Sequence, residues 1–146
     1  MFILRKEYRF EAAHFLPLVP VGHQCGRMHG HSYGVVIEVG SKILKKNGFV
    51  IDFADLNHYI QPIINKLDHQ LLNDFIDNPT VENLCVYIAD NFLASIEDYK
   101  YDERDQEIYL LAVEVSETLK TKCRYELKEV IWEFIFQTIL AQNFII

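Results

Sequence analysis

The sequence predicts an α+β fold: an antiparallel four-stranded sheet with two helices on one face. Three observations predict it. Period-two alternation of apolar and polar residues occurs early, in residues 2–15 and 29–39, and again late, in residues 107–118. Between these segments Leu56, Tyr59, Ile60, Ile63, Ile64 and Leu67 form an apolar stripe at helical spacing. The resulting order, β-β-α-α-β-β, is that of an antiparallel sheet with its helices gathered on one side.

In the first strand Phe2, Leu4, Tyr8, Phe10 and Ala12 share one parity and Arg5, Glu7, Arg9 and Glu11 the other, so one face is buried and one wet. His14 falls on the apolar parity. Pro17, Pro20, Gly22 and Gly26 then mark a loop over residues 16–28. In the second strand His29, His31, Tyr33, Val35, Ile37 and Val39 share a face. Asn47-Gly48 is a hairpin turn signal, with Phe49–Phe53 as a short returning strand. Asp52 or Asp55 caps the first helix, and Pro62 lies off its apolar stripe and is expected to kink it. Residues 68–78 are polar and irregular. Thr80 caps a second helix that buries Leu84, Ile88 and Phe92. Residues 97–106 read as a charged loop. Tyr109, Leu111, Val113 and Val115 line one face of the third strand, and residues 122–127 form the last. The expected division is one domain over residues 1–125 and an extension over 126–146. Within that extension Leu127, Val130, Ile131, Phe134, Ile135, Thr138 and Ile139 follow helical spacing, so it reads as a helix packed on the same domain.

Composition narrows the functional classes. A chain of 146 residues, half of them apolar, can bury a core without covalent staples. Its net charge of −7 argues against sequence-independent nucleic-acid binding, which requires basic residues to neutralise phosphates. A small anionic substrate needs only a local basic patch or backbone donors. Cys25, Cys85 and Cys123 make an odd count with no CxxC pair, hence no disulfide framework. Charges in the first fifteen residues disfavour a signal peptide, and no uncharged apolar run approaches the roughly 18 residues of a membrane span. The expected setting is cytoplasmic, with no membrane partner.

The histidines carry the chemistry. His29 and His31, two residues apart on a strand, project from one face about 7 Å apart by strand rise. Pairing of the first two strands would bring His14 to the same place. Three imidazoles leave a tetrahedral Zn2+ one open position, the arrangement of a catalytic site. Two other readings stand beside this one. The HxH pair also fits ordinary strand histidines, and Cys25 as a fourth ligand would close a purely structural zinc site.

The strings FEAAHFLP, GHQCGRMHGHSY, LDHQLLND, NPTVENL and VSET occur in this order, in a match that runs from residue 8 to about residue 125. Together they resemble the 6-pyruvoyl-tetrahydropterin synthase family. CxxxHGH with an upstream AAH and a downstream LDH is the specific part, and GHxCGRxHGH is most similar to the bacterial 6-carboxy-tetrahydropterin synthases of queuosine biosynthesis. The resemblance implies the tunnelling fold and a homo-oligomer, usually a hexamer, with sites at subunit interfaces. It implies His14, His29 and His31 as zinc ligands, Cys25 as catalytic base, Asp68 and His69 as a second proton-transfer group supplied across the interface, and Glu117 as the residue that holds the pterin ring. The implied substrate is 7,8-dihydroneopterin triphosphate.

Those roles are chemically coherent. Zinc on side-chain oxygens acidifies the neighbouring C–H, and a thiol beside a dication loses its proton more readily. His69 can exchange a proton near neutrality while Asp68 orients it. A carboxylate matches the two N–H groups of an aminopyrimidinone edge. Glu117 shares the parity of Val113 and Val115, and burying a carboxylate without a partner is costly, which favours a functional role. Thr80 reads as a cap, Glu82 as surface charge, Cys85 as core, Cys123 as a strand residue, and His23 and His58 as solvent-facing; Arg27 reads as an exposed loop residue that meets water, with contact to the triphosphate as the alternative.

Overall fold

The computed structural model describes residues 1–100 and 108–127. Strand β1 (Phe2–His14) pairs antiparallel with β2 (His29–Ser41) over its whole length, from Phe2 opposite Ser41 to His14 opposite His29. Helix α1 (Phe53–Leu67) follows, capped by the Asp52 carboxylate, which accepts the Ala54 N–H at 2.7 Å. After β3 (Gln70–Leu71) comes helix α2 (Val81–Ser95), capped by Thr80 as the sequence predicts. Strands β4 (Tyr109–Ser116) and β5 (Lys122–Glu126) complete a sheet of order β3-β1-β2-β4-β5.

Alternation sorts the faces. Tyr8, Phe10, Ala12, Tyr33, Val35, Ile37, Val39, Val113 and Val115 meet the stripes of both helices (Leu56, Ile60, Ile63, Ile64, Leu67; Leu84, Ile88, Phe92) in one continuous core. The opposite face carries a charged ladder. Arg124 grips Glu38 through two bonds of 2.8 and 2.6 Å, and Lys122 reaches Glu114 at 3.2 Å.

Three expectations need correction. The sheet has five strands and is mixed, because Gln70–Leu71 run parallel to Ala12–Ala13. Two residues are too short to show periodicity, so residues 68–78 read as irregular. Phe49–Phe53 is not a strand. Lys45 and Phe49 close a tight turn, with Gly48 at φ +83°, and the adjacent side chains of Val50 and Ile51 both enter the core, which a half-buried strand forbids. Third, β4 does not keep one parity. Glu38 faces Ala112 and Val39 faces Leu110, leaving Leu111 as a bulge. Leu110 therefore joins the core, while Leu111 packs on the far side against Gly40. Strand β5 runs through Glu126, and Leu127 packs on the core and donates its N–H to Leu111 at 3.1 Å. The helix expected over residues 126–146 and most of the loop at 97–106 lie outside the described residues. No described helix is long and apolar enough to cross a membrane.

Candidate active site

The paired ends of β1 and β2 assemble the histidines. His14 lies opposite His29, and His31 follows two residues on along the same face. The ring centroids are 4.5 Å (His14–His29), 5.1 Å (His14–His31) and 5.0 Å (His29–His31) apart. One nitrogen from each ring falls in a group whose members all lie within 4.8 Å of one another. Gly30 keeps the two strands close here, since a Cβ at that position would sit 3.2 Å from the Ala12 carbonyl oxygen.

Backbone carbonyls set the tautomers. His14 Nδ1 lies 2.8 Å from the Pro79 carbonyl oxygen, and His29 Nδ1 lies 2.7 Å from that of Arg27. A carbonyl only accepts, so each Nδ1 carries the proton and each Nε2 presents a lone pair. The two Nε2 atoms face each other 3.0 Å apart. Lone pairs that close repel unless a cation lies between or beside them. A tetrahedral zinc with Zn–N bonds of about 2.0–2.1 Å would hold its nitrogens about 3.3 Å apart. The donor set therefore fits a zinc ion bound by His14, His29 and His31, with the outer nitrogens of His14 and His29 tied down as those of metal-ligating histidines usually are. Burial pushes the His14 pKa down and keeps the imidazole neutral, the form that binds metal.

Below the cluster stands Tyr33, 1% exposed, stacked on Phe10 at 5.0 Å and set edge-on to His14 and His31. Its hydroxyl has no hydrogen-bond partner among the described residues. Burial first, and then the Glu117 carboxylate, raise its pKa.

In front of the cluster opens a cleft of about 510 Å³, lined by His14, His29, His31, Cys25, Arg27 and Glu117, with Leu16, Gln24 and Met28. Cys25 sits in a short 3-10 turn, Gln24–Gly26, tied to the end of β1 by the Leu16 N–H, which donates to the Cys25 carbonyl at 2.8 Å. Among the described residues the donor group closes on three imidazoles without the thiol, which counts against the sealed four-ligand alternative. Val35 pairs with Val115, so Glu117 continues the same face beyond the end of β4 toward Tyr33 and His14. It is half-buried rather than buried.

Asp68 and His69 lie elsewhere. Neither lines the cleft; His69 borders a second depression with Glu11, Gly30 and Ser32, and His31 lines both hollows. His69 Nδ1 meets Asp68 Oδ2 at 2.9 Å, and Asp68 Oδ1 accepts the Glu11 N–H at 2.9 Å. These bonds, the Glu11 N–H foremost, hold the Asp68 carboxyl below the usual range. The His69 side chain is 76% exposed, and its backbone takes φ 57°, a left-handed conformation that costs a non-glycine residue about 1–3 kcal/mol. Pairing of the next two residues with β1 and the bond from the His69 N–H to the Glu11 carbonyl hold it there.

The structure thus brings together Cys25, His14, His29, His31 and Glu117, and sets Asp68 and His69 apart. Sequence reasoning overlooked the Pro79 and Arg27 carbonyls, which leave no side-chain signal. It also passed over Tyr33 as the floor of the cluster, although its parity with His29 and His31 was visible. Arg27, expected to meet water, is exposed but borders the cleft.

Known proteins resemble this chain. A protein of Archaeoglobus fulgidus is 45% identical over 80 residues, which span 54% of this chain and 65% of that relative. A 6-carboxy-5,6,7,8-tetrahydropterin synthase of Synechocystis is 37% identical over 134 residues, 86% of this chain and 93% of the relative. The 6-pyruvoyl tetrahydropterin synthase structure from Caenorhabditis elegans superposes with a TM-score of 0.72 at 20% identity, covering 86% of this chain and 94% of that one, and so shares the fold. The family model for 6-pyruvoyl tetrahydropterin synthase matches residues 3–128, and the chain belongs to that family.

Proposed function

We propose that this protein is a zinc-dependent lyase that converts 7,8-dihydroneopterin triphosphate to 6-carboxy-5,6,7,8-tetrahydropterin, releasing acetaldehyde and triphosphate. The observation that carries the reading is the convergence of three imidazoles, the Cys25 thiol and the Glu117 carboxylate on one cleft. Relatives named 6-carboxy-5,6,7,8-tetrahydropterin synthase support the choice of product.

Zinc bound by His14, His29 and His31 would supply Lewis acidity to oxygens of the substrate side chain. Glu117 anchors the aminopyrimidinone edge by paired charge-assisted hydrogen bonds. Cys25 acts as the base that removes a proton from the side chain. The Asp68 carboxylate, kept ionised, holds the Nδ1–H tautomer of His69 and leaves Nε2 free to exchange a proton with substrate. Because that dyad stands apart from the cleft of its own chain, the complete site is formed in a homo-oligomer, a hexamer in this reading, with Asp68 and His69 supplied by a neighbour.

The test is product identification. Zinc-loaded protein incubated with 7,8-dihydroneopterin triphosphate should yield 6-carboxy-5,6,7,8-tetrahydropterin by mass spectrometry, with one acetaldehyde per turnover. A 6-pyruvoyl product without acetaldehyde would assign the simpler elimination, and unchanged substrate would leave a zinc- and pterin-binding protein. Cys25→Ala should retain zinc and lose turnover by about 10²–10⁴-fold. Loss of zinc together with unfolding in that variant would favour a structural site instead.

A further inference from the structure

Strand β1 ends at the metal-site residue His14, and two residues later Leu16 ties the loop that carries Cys25. Whatever holds the residue between them sets the spacing of imidazole and thiol. That residue is Phe15. Asn73 Oδ1 accepts the Phe15 N–H at 3.0 Å, and Asn73 Nδ2 donates to the Phe15 carbonyl at 2.9 Å. One carboxamide thereby satisfies both main-chain groups of one residue, as a neighbouring strand would.

The local fold explains why a side chain takes that part. Backbone pairing between β1 and β3 covers only Ala12 with Gln70 and Ala13 with Leu71. The chain then leaves the sheet edge in a 3-10 turn, Leu72–Asp74, and Leu72 is drawn into the core. Main-chain partners for Phe15 are lost at that point, and the Asn73 side chain continues the ladder in their place. Asparagine suits the position because it both donates and accepts. Asp could accept the N–H but would set a carboxylate against the Phe15 carbonyl, and Ala would do neither.

We propose that Asn73 is a positioning residue: its carboxamide fixes Phe15, and through the Leu16–Cys25 bond holds the thiol loop in register with the histidine cluster. The role rests on the use of His14 and Cys25 proposed above.

The experiment compares wild type with Asn73→Ala, Asn73→Asp and a control, Asn91→Ala. The control removes a side-chain bond of similar length on α2, from Asn91 Nδ2 to the Tyr87 carbonyl at 2.8 Å, away from the site. Three quantities are read: zinc affinity by chelator competition, the rate of Cys25 alkylation by iodoacetamide with and without zinc (followed by peptide mass spectrometry), and kcat and KM on the pterin triphosphate. Asn73→Ala should weaken zinc binding roughly tenfold. It should lose most of the effect of zinc on Cys25 alkylation and lower kcat about ten- to a hundredfold, with KM nearly unchanged. Asn73→Asp should fall between Ala and wild type in all three, and the Asn91 control should match the loss of Tm without these changes. Wild-type alkylation behaviour and kcat in a folded Asn73→Ala protein would overturn the proposal, as would equal losses in the control. If wild type turns over no pterin, the proposed reaction fails, while zinc affinity and alkylation still decide the role of Asn73.

Discussion

Two groups of titratable residues flank the β1–β2 hairpin, and they are built in opposite ways. The histidine cluster faces the helices, with His14 1% exposed and its outer nitrogen tied to a main-chain carbonyl. The Asp68–His69 pair lies outside, exposed and held in a left-handed turn. The first is preorganised within its own chain. The second is strained and open, which the proposed role on a neighbour's cleft would require. Burial supplies geometry in one case; in the other, geometry is maintained by main-chain bonds at a cost in stability.

Removing a ligand should produce the largest effect. His31→Ala leaves two imidazoles and forfeits several kcal/mol of charge stabilisation, so turnover should fall about a thousandfold or more. Metal analysis should find less than one zinc per chain, and full zinc occupancy in that variant would remove His31 from the ligand set.

The comparison is sharpened by complementation. Cys25→Ala and His69→Ala should each be nearly inactive alone. After subunit exchange at equal amounts, a site drawing its thiol and its imidazole from different copies should be intact in about a quarter of cases. Recovery of activity near that fraction supports a dyad that acts on the neighbour's cleft; none would place both groups in one chain's site.

A smaller and opposite pair of effects is expected at His69. Glycine takes φ 57° without strain, so His69→Gly should raise unfolding free energy by about 0–1 kcal/mol after loss of the exposed contact to Asp68. Turnover should still fall roughly a hundredfold. Thermal unfolding measured beside kcat tests the trade, and a clear loss of stability would mean the turn is not strained.

The charged face offers the mildest test. Hydrogen bonds from Arg124 lower the pKa of Glu38. A depressed carboxylate stabilises the fold above its unfolded pKa and loses that contribution as pH falls through the folded value. Arg124→Ala should therefore cost about 1 kcal/mol at neutral pH, and the difference from wild type should close below about pH 4. A gap that persists at pH 3 in urea titrations would point to lost packing rather than charge.

Much of this was legible in the chain itself. Both long strands showed their period, the α1 stripe matched the residues it buries, and Thr80 announced a cap. Parity placed His29 and His31 on a single face, and His14 on the apolar face of its own strand, because successive strand side chains must alternate. Glu117 was singled out by the family resemblance, and its shared parity with Val113 and Val115 only supported it. Local chemistry of this kind needs no knowledge of distant residues.

Other features depended on what packs against what. Leu111 became a bulge because the β2–β4 register shifts beside Gly40, and no periodicity within β4 foretells that. Gln70–Leu71 are a strand only because β1 lies alongside, and Val50 and Ile51 left the sheet to fill the core. The carbonyls of Pro79 and Arg27 and the carboxamide of Asn73 acquired their tasks through proximity alone. Residue type and spacing settled which groups could bind a metal ion. Folding settled which nitrogen His14 and His29 present and where the thiol stands, because hydrogen-bond partners are chosen by packing.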